Sequence, residues 1–122
     1  MEAEEVRYEM IECEDAEYII VAFGIIARIA QKSIELARAK GHKIGLFRPI
    51  SLYPFPMKEI TALAENSRVK GFMSVELNAG QMVEDIRLAV EGRKPVGFFG
   101  RLGGMVPTPE EIENALYKEF NL

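Results

Sequence analysis

The sequence predicts an α/β fold: a mainly parallel sheet with helices on both faces. Three observations lead there. Short runs rich in β-branched and aromatic residues alternate with stretches whose apolar residues recur at helical spacing. The runs are apolar almost throughout, as strands covered on both faces must be. The links between them are long enough for crossover helices, which join parallel neighbours.

Tyr18-Ile-Ile-Val-Ala-Phe23, ended by Gly24, reads as a buried strand. From residue 25 to 40 the period changes. Ile26, Ile29, Ala30, Ser33, Ile34 and Ala37 line one helix face, and Arg28, Gln31, Lys32, Glu35 and Arg38 line the other. Gly41 then tolerates the left-handed geometry that ends a helix. Lys43-Ile-Gly-Leu-Phe-Arg48 is the second strand, stopped by Arg48-Pro49. Residues 50–56 form a proline-punctuated loop, with Pro56 where a first helical turn loses nothing from its missing N–H. A short helix over 57–66 turns Met57, Ile60, Thr61 and Ala64 inward.

Lys70-Gly-Phe-Met-Ser-Val-Glu76 is the third strand. A helix over 79–91 buries Met82, Val83, Ile86, Ala89 and Val90, and Gly92 closes it. Pro95-Val-Gly-Phe-Phe99 is the fourth strand. Thr108-Pro-Glu-Glu111 has capping-box spacing, proline in the first turn and acids near the positive helix end. The last helix runs to about residue 120 with Ile112, Ala115, Leu116 and Phe120 inward. The acidic lead-in leaves room for one more strand near residues 6–11.

The chain has 122 residues, the length of one ordinary domain, with 48% hydrophobic and 28% charged residues. No apolar run approaches the ~18 residues of a membrane helix. The start, Met1-Glu-Ala-Glu-Glu, is acidic where a signal peptide is basic and then apolar, which predicts a cytoplasmic protein. A net charge of -4 without a basic cluster argues against nucleic acid. The single cysteine, Cys13, can anchor neither a disulfide nor a metal cluster. Its neighbours Glu12 and Glu14 disfavour a thiolate, so it reads as a partly exposed, unreactive thiol. The single histidine, His42, sits at the amino end of a strand and reads as a surface residue. Glu84, Asp85 and Arg87 form a solvated helix face. No catalytic constellation and no metal-ligand spacing can be assembled from these residues.

In a parallel sheet, functional loops follow the carboxyl ends of the strands. Here they hold Arg48, then Glu76, Asn78, Gly80 and Gln81, then Gly100-Arg-Leu-Gly-Gly104. Two readings stand side by side. The glycine loop and arginines could cradle an anion through backbone N–H groups and charge. Alternatively, the glycines serve tight turns, and the charged residues pair with one another or with a partner protein. Neither a dinucleotide fingerprint nor a Walker loop is present.

Three segments carry a family resemblance: Leu46-Phe-Arg-Pro-Ile-Ser-Leu-Tyr-Pro-Phe-Pro56, Val75-Glu-Leu-Asn-Ala-Gly-Gln-Met82 and Gly100-Arg-Leu-Gly-Gly-Met-Val-Pro-Thr-Pro-Glu-Glu-Ile112. With Glu14-Asp-Ala-Glu17 and Ala22-Phe-Gly24, they resemble the C-terminal domain of the alpha subunit of 2-oxoacid:ferredoxin oxidoreductases. Residues 83–90 tilt the resemblance toward the branched-chain (2-ketoisovalerate) type over the 2-oxoglutarate type. The resemblance implies a three-layer α/β sandwich like the transketolase C-terminal domain, with one antiparallel edge strand. Residues 1–15 resemble a connector from a preceding domain, and 16–122 the domain itself.

For the whole complex, the resemblance implies oxidative decarboxylation of a 2-oxoacid to acyl-CoA, with electrons passed to ferredoxin. It implies thiamine diphosphate, magnesium, iron–sulfur clusters and coenzyme A there, with the pyrimidine domain supplying the thiamine pocket, the beta subunit binding the diphosphate with magnesium, cysteine-rich parts holding the clusters, and the gamma subunit as a further partner. It implies no cofactor and no catalytic residue in this chain. Interface or active-site support falls by this resemblance to Arg48, Pro49, Pro54, Pro56, Glu76, Asn78, Gly80, Gln81, Arg101, Gly103 and Gly104. Ile25 departs from the small polar residue familiar after the Gly24 position, which removes a hydrogen bond from that loop. The competing expectation is a free-standing module that binds a nucleotide, coenzyme A or another anion.

Overall fold

The computed structural model describes residues 8–49, 57–76, 81–90, 94–100 and 107–122, with the side chains of 25, 57, 81–83 and 85 left aside. The elements are β1 (Tyr8–Ile11), β2 (Tyr18–Ala22), α1 (Ile25–Ala39), β3 (Ile44–Pro49), α2 (Met57–Glu65), β4 (Gly71–Glu76), α3 (Gln81–Val90), β5 (Val96–Gly100) and α4 (Pro109–Phe120). The five strands form one sheet in the order β1-β3-β2-β4-β5. β2, β3, β4 and β5 run parallel, and β1 joins β3 antiparallel at the edge, with Glu9 opposite Arg48. The expected edge strand is therefore present over Tyr8–Ile11, and residues 6 and 7 of the expected 6–11 lie outside the described residues.

Strand alternation divides the core into two layers. Ile19 and Val21 of β2 join Phe47, Phe72, Ile60 and Ala64 of α2, and Ile86, Ala89 and Val90 of α3. Ile20 and Ala22 face the other way, onto Ile26, Ala30, Ile34 and Ala37 of α1 and Ile112 and Leu116 of α4. Two helices on each face make the three layers. Small residues on α1 let α4 approach closely, and the Ser33 hydroxyl donates to the Pro109 carbonyl at 2.8 Å. On the opposite face the Thr61 hydroxyl donates to Ala89 O at 2.8 Å and ties α2 to α3.

The helix ends follow the expected chemistry. Thr108 accepts from the Glu111 N–H while Glu111 accepts from the Thr108 N–H, which completes the capping box. Gly24 and Gly41 have φ of +75° and +93°, a conformation other residues adopt only with strain. Ile29, Thr61, Ala115 and Phe120, expected inward, lie half-buried at the margins of their helices. The expected inward side chains Met57, Met82 and Val83 lie outside the described set. Glu84 and Arg87 form the expected exposed pair at 3.4 Å.

Cys13 corrects the sequence reading: it is 6% exposed. Its thiol donates to the Leu46 carbonyl at 3.3 Å, a contact 33 residues distant in sequence. Burial pushes the thiol up to about 11, which keeps it neutral. The chain folds over it because Arg38 grips the turn, donating to Glu12 O at 2.7 Å, Asp15 Oδ1 at 2.8 Å and Ile44 O at 2.9 Å. Adjacent acids suggested exposure; the long-range packing outweighs them.

Candidate functional site

Strand direction decides which end of the sheet carries a site. β2 feeds α1 on one face, whereas its neighbour β4 feeds α3 on the opposite face. Such a switch point opens a crevice between the carboxyl ends of the two strands. Phe23-Gly24 follows β2 there, and Glu76 ends β4 beside Gly100 of β5. Pro49 ends β3 in the same row, opposite Tyr8.

Of the residues singled out above, Arg48, Pro49 and Glu76 are described with their side chains. Gln81 is placed by its backbone at the start of α3. Pro54, Pro56, Asn78, Gly80, Arg101, Gly103 and Gly104 lie outside the described residues. Pro49 and Glu76 come to one edge of the sheet. Arg48 does not meet Glu76: alternation directs Arg48 to the α1/α4 face with Leu46, and Glu76 to the α2/α3 face with Phe72. The Arg48 guanidinium instead donates to Glu9 Oε1 at 3.0 Å across the β1–β3 pair. Glu76 is 6% exposed and accepts a hydrogen bond from the Ser74 hydroxyl at 2.9 Å. A buried hydrogen-bonded carboxylate on an inner strand is unlike the apolar residues before it, and marks the end of the sheet as specialised.

Sequence reasoning missed three neighbours. Ser74 was read only as part of a strand, although a hydroxyl two residues before a carboxylate shares its face in β geometry. Phe23 was read as part of a buried strand and Phe98 simply as part of the fourth strand, and each is 40% exposed.

The amino end of the sheet is chemically different. A cleft of about 790 Å³ there is lined by Met10, Glu12, Cys13, Glu14, Asp15, Leu63 and Arg68. Its acids are partly engaged by Arg38, and its thiol is buried and neutral, so it presents no nucleophile. Nearby, Glu113 is buried on α4 and receives Lys40 Nζ at 2.8 Å and the Tyr117 hydroxyl. His42 packs against the Tyr117 ring, with centroids 5.0 Å apart. Burial acts to raise the Glu113 carboxyl, but the Lys40 and Tyr117 hydrogen bonds outweigh it and hold it below the usual range. The same burial, then the bond to Glu113, pushes the Tyr117 phenol up. The hydrogen bond from Arg38 holds Asp15 low as well.

These two carboxylates set an acid limit. Each has a folded pKa below its unfolded value, so each contributes stability that is present above about pH 4.5 and lost as pH falls through the folded value. The urea midpoint is expected to be flat from pH 7 to about 5 and to drop below about pH 4. Glu113→Gln should make that drop shallower. A midpoint that instead rises on acidification would contradict the assignment.

The described residues include no group of three or more His, Cys, Asp or Glu side chains able to hold a metal. Among them, no helix is long and apolar enough to cross a membrane. Residues 16–112 match the family described as pyruvate:ferredoxin oxidoreductase core domain II. The chain belongs to that family. Core domain II here is 48% identical, over 85% of the chain, to the ketoisovalerate oxidoreductase subunit VorB of Methanothermobacter marburgensis. It is 30% identical, over 84% of the chain, to the 2-oxoglutarate synthase subunit KorA of the same organism. It is also 30% identical, over 94% of the chain, to the pyruvate synthase subunit PorA of Methanothermobacter thermautotrophicus. The chain spans 29%, 27% and 32% of those proteins' lengths. Among solved structures, a 2-oxoglutarate:ferredoxin oxidoreductase from Magnetococcus marinus matches with a TM-score of 0.79 and 24% identity. That match covers 93% of this chain and 19% of the other. At that identity the match establishes a shared α/β fold.

Proposed function

We propose that this chain is core domain II of the alpha-type subunit of a 2-oxoacid:ferredoxin oxidoreductase whose substrate is a branched-chain 2-oxoacid. One observation carries the substrate class: 48% identity to a ketoisovalerate oxidoreductase subunit, against 30% to the 2-oxoglutarate and pyruvate synthase subunits. In this reading the complete enzyme decarboxylates the 2-oxoacid oxidatively, forms an acyl-CoA and passes electrons to ferredoxin.

Among the described residues, the side chains do not fit the cofactors of that chemistry. An iron–sulfur cluster needs several thiolates, and the one cysteine is a buried, neutral thiol. Arg48, a candidate anion ligand, is already paired with Glu9. We therefore assign thiamine diphosphate, magnesium and the clusters to the pyrimidine domain and the beta and gamma subunits. Residues 1–15 then lead in from the preceding domain, with β1 built into the sheet. The domain's task is to support the active site from outside, through residues 48–56, 76–81 and 101–104 at and beyond the carboxyl ends of the strands.

The test is the assembled enzyme, assayed for coenzyme A-dependent reduction of ferredoxin with 2-oxoisovalerate, 2-oxoglutarate and pyruvate. The branched-chain acid is expected to have a kcat/KM at least about tenfold higher, roughly 1.4 kcal/mol of transition-state discrimination. A preference for 2-oxoglutarate or pyruvate would overturn the substrate class. Asn78→Ala with Gln81→Ala is expected to lower turnover or subunit recovery by roughly tenfold while the domain still folds. Wild-type assembly and turnover in that double variant would remove the support role.

A further inference from the structure

We propose that the groove between β1 and α2 is a docking site for a basic amphipathic helix of another subunit. The proposal rests on the functional reading above, which puts this domain in a multi-subunit enzyme, and adds a surface with a defined partner chemistry.

Strand β1 is covered on one face only. Ile11 packs against the α1/α4 core. Tyr8 and Met10 turn the other way. Met10 lies opposite Phe47 in the register, and Tyr8 stacks on the Phe47 ring with centroids 5.2 Å apart. On that face they stay 38% and 43% exposed. Single apolar residues on a surface are ordinary, and edge strands are normally guarded by charge or covered. Here two large apolar side chains follow each other on an edge strand with no charge on their face. Met10 continues into the cleft of about 790 Å³, whose apolar lining is completed by Cys13 and by Leu63 of α2.

The rim of the cleft supplies the charge. Glu12, Glu14 and Asp15 line it against one cation, Arg68. The Arg68 guanidinium is turned onto the Ala16 and Cys13 carbonyls, at 3.4 and 3.3 Å. Arg38 occupies Asp15 at 2.8 Å and stands 3.8 Å from Glu12. Glu14 is exposed and has no ion-pair partner among the described residues. An apolar strip beside surplus carboxylate is complementary to a helix whose apolar stripe is flanked by Lys or Arg. The flexible thioether of Met10 suits such a surface, because it adapts to the side chains that cover it.

The direction of the chain selects another subunit as the source of that helix. The polypeptide enters β1 at Tyr8, beside Pro49 at the carboxyl end of the sheet, and a preceding domain is tethered there. The acidic part of the groove lies at the opposite, amino end, past the β1–β2 turn.

The experiment places single cysteines at Met10, Glu14 and the 64%-exposed Leu88 of α3 in the full-length subunit, alone and in the assembled oxidoreductase. Maleimide labelling is read by peptide mass spectrometry, against a native thiol that burial keeps neutral and slow. Met10→Cys and Glu14→Cys are expected to label about tenfold slower in the assembly than in the subunit alone, with Leu88→Cys changed by less than about twofold. Glu14→Lys is expected to lower recovery of the assembly about fivefold at low salt, an effect that shrinks below about twofold at 0.5 M salt. Equal labelling of Met10→Cys and Glu14→Cys in the subunit and in an active assembly overturns the docking site and leaves the proposed function standing. Protection already present in the subunit alone assigns the groove to its own remaining domains or to a second copy, and overturns the occupant. Protection on assembly that neither Glu14→Lys nor salt affects overturns the basic partner. An assembly that oxidises no 2-oxoacid overturns the functional reading, while protection gained on assembly still supports the docking site.

Discussion

Phe72→Ala is expected to destabilise the domain by about 3–5 kcal/mol. Phe72 is fully buried on β4, between β2 and β5, and belongs to the core layer that includes Phe47, Ile60 and Ile86. Its ring fills space under two helices whose positions are held by the sheet, so the cavity cannot close by collapse. A domain of this size has a total stability of about 5–15 kcal/mol, so the loss is a large share of it. Urea unfolding followed by circular dichroism should show a midpoint lowered by more than about 1 M with the slope unchanged. Phe98→Ala, at a 40%-exposed site, is the comparison and should lose less than about 1.5 kcal/mol. Equal losses at the two positions would contradict the assigned sheet order.

That pair also marks the boundary of what the sequence discloses. The strands and helices were legible because buried parallel strands are apolar throughout and amphipathic helices repeat at 3.6 residues. The capping box at Thr108 was legible because it is local. Phe72 and Phe98, by contrast, sit in runs of similar character. The difference between centre and edge comes from the crossing of the chain from β3 past β2 to β4, a long-range event. Glu113 illustrates the same limit. It falls on the inward stripe beside Ile112 and Leu116, where a carboxylate looks misplaced until Lys40 and Tyr117 are seen to hold it. At the candidate site, the end of the sheet was legible from strand direction. The separation of Arg48 from Glu76 onto opposite faces was not, because it depends on register between strands distant in sequence.

Gly45→Val is expected to destabilise by about 3 kcal/mol, the upper part of the range for overpacking, because the obstruction is largely backbone. A Cβ at Gly45 would stand 2.9 Å from both Ala16 Cβ and Glu12 O, and 3.0 Å from Cys13 Cα. Strand propensity favours Val over Gly by no more than about 1 kcal/mol, which does not offset the clash. The turn over Cys13 must therefore move, although Arg38 and Arg68 both donate to its carbonyls. Movement there has a direct reporter. Burial raises the native thiol from 9.0 to about 11, so at pH 8 it holds about 100-fold less thiolate than an ordinary cysteine. Labelling of wild-type Cys13 should therefore be at least about 100-fold slower than in the unfolded chain. In Gly45→Val it should accelerate by about tenfold or more under conditions where the domain is still folded. The pH dependence provides a second check. A thiol with a raised folded pKa favours unfolding as pH climbs past the unfolded value, so wild-type stability should decline above about pH 9. That decline should be weaker in Gly45→Val, where the thiol is better solvated. Unchanged labelling together with wild-type stability would show that the turn does not rest on Gly45.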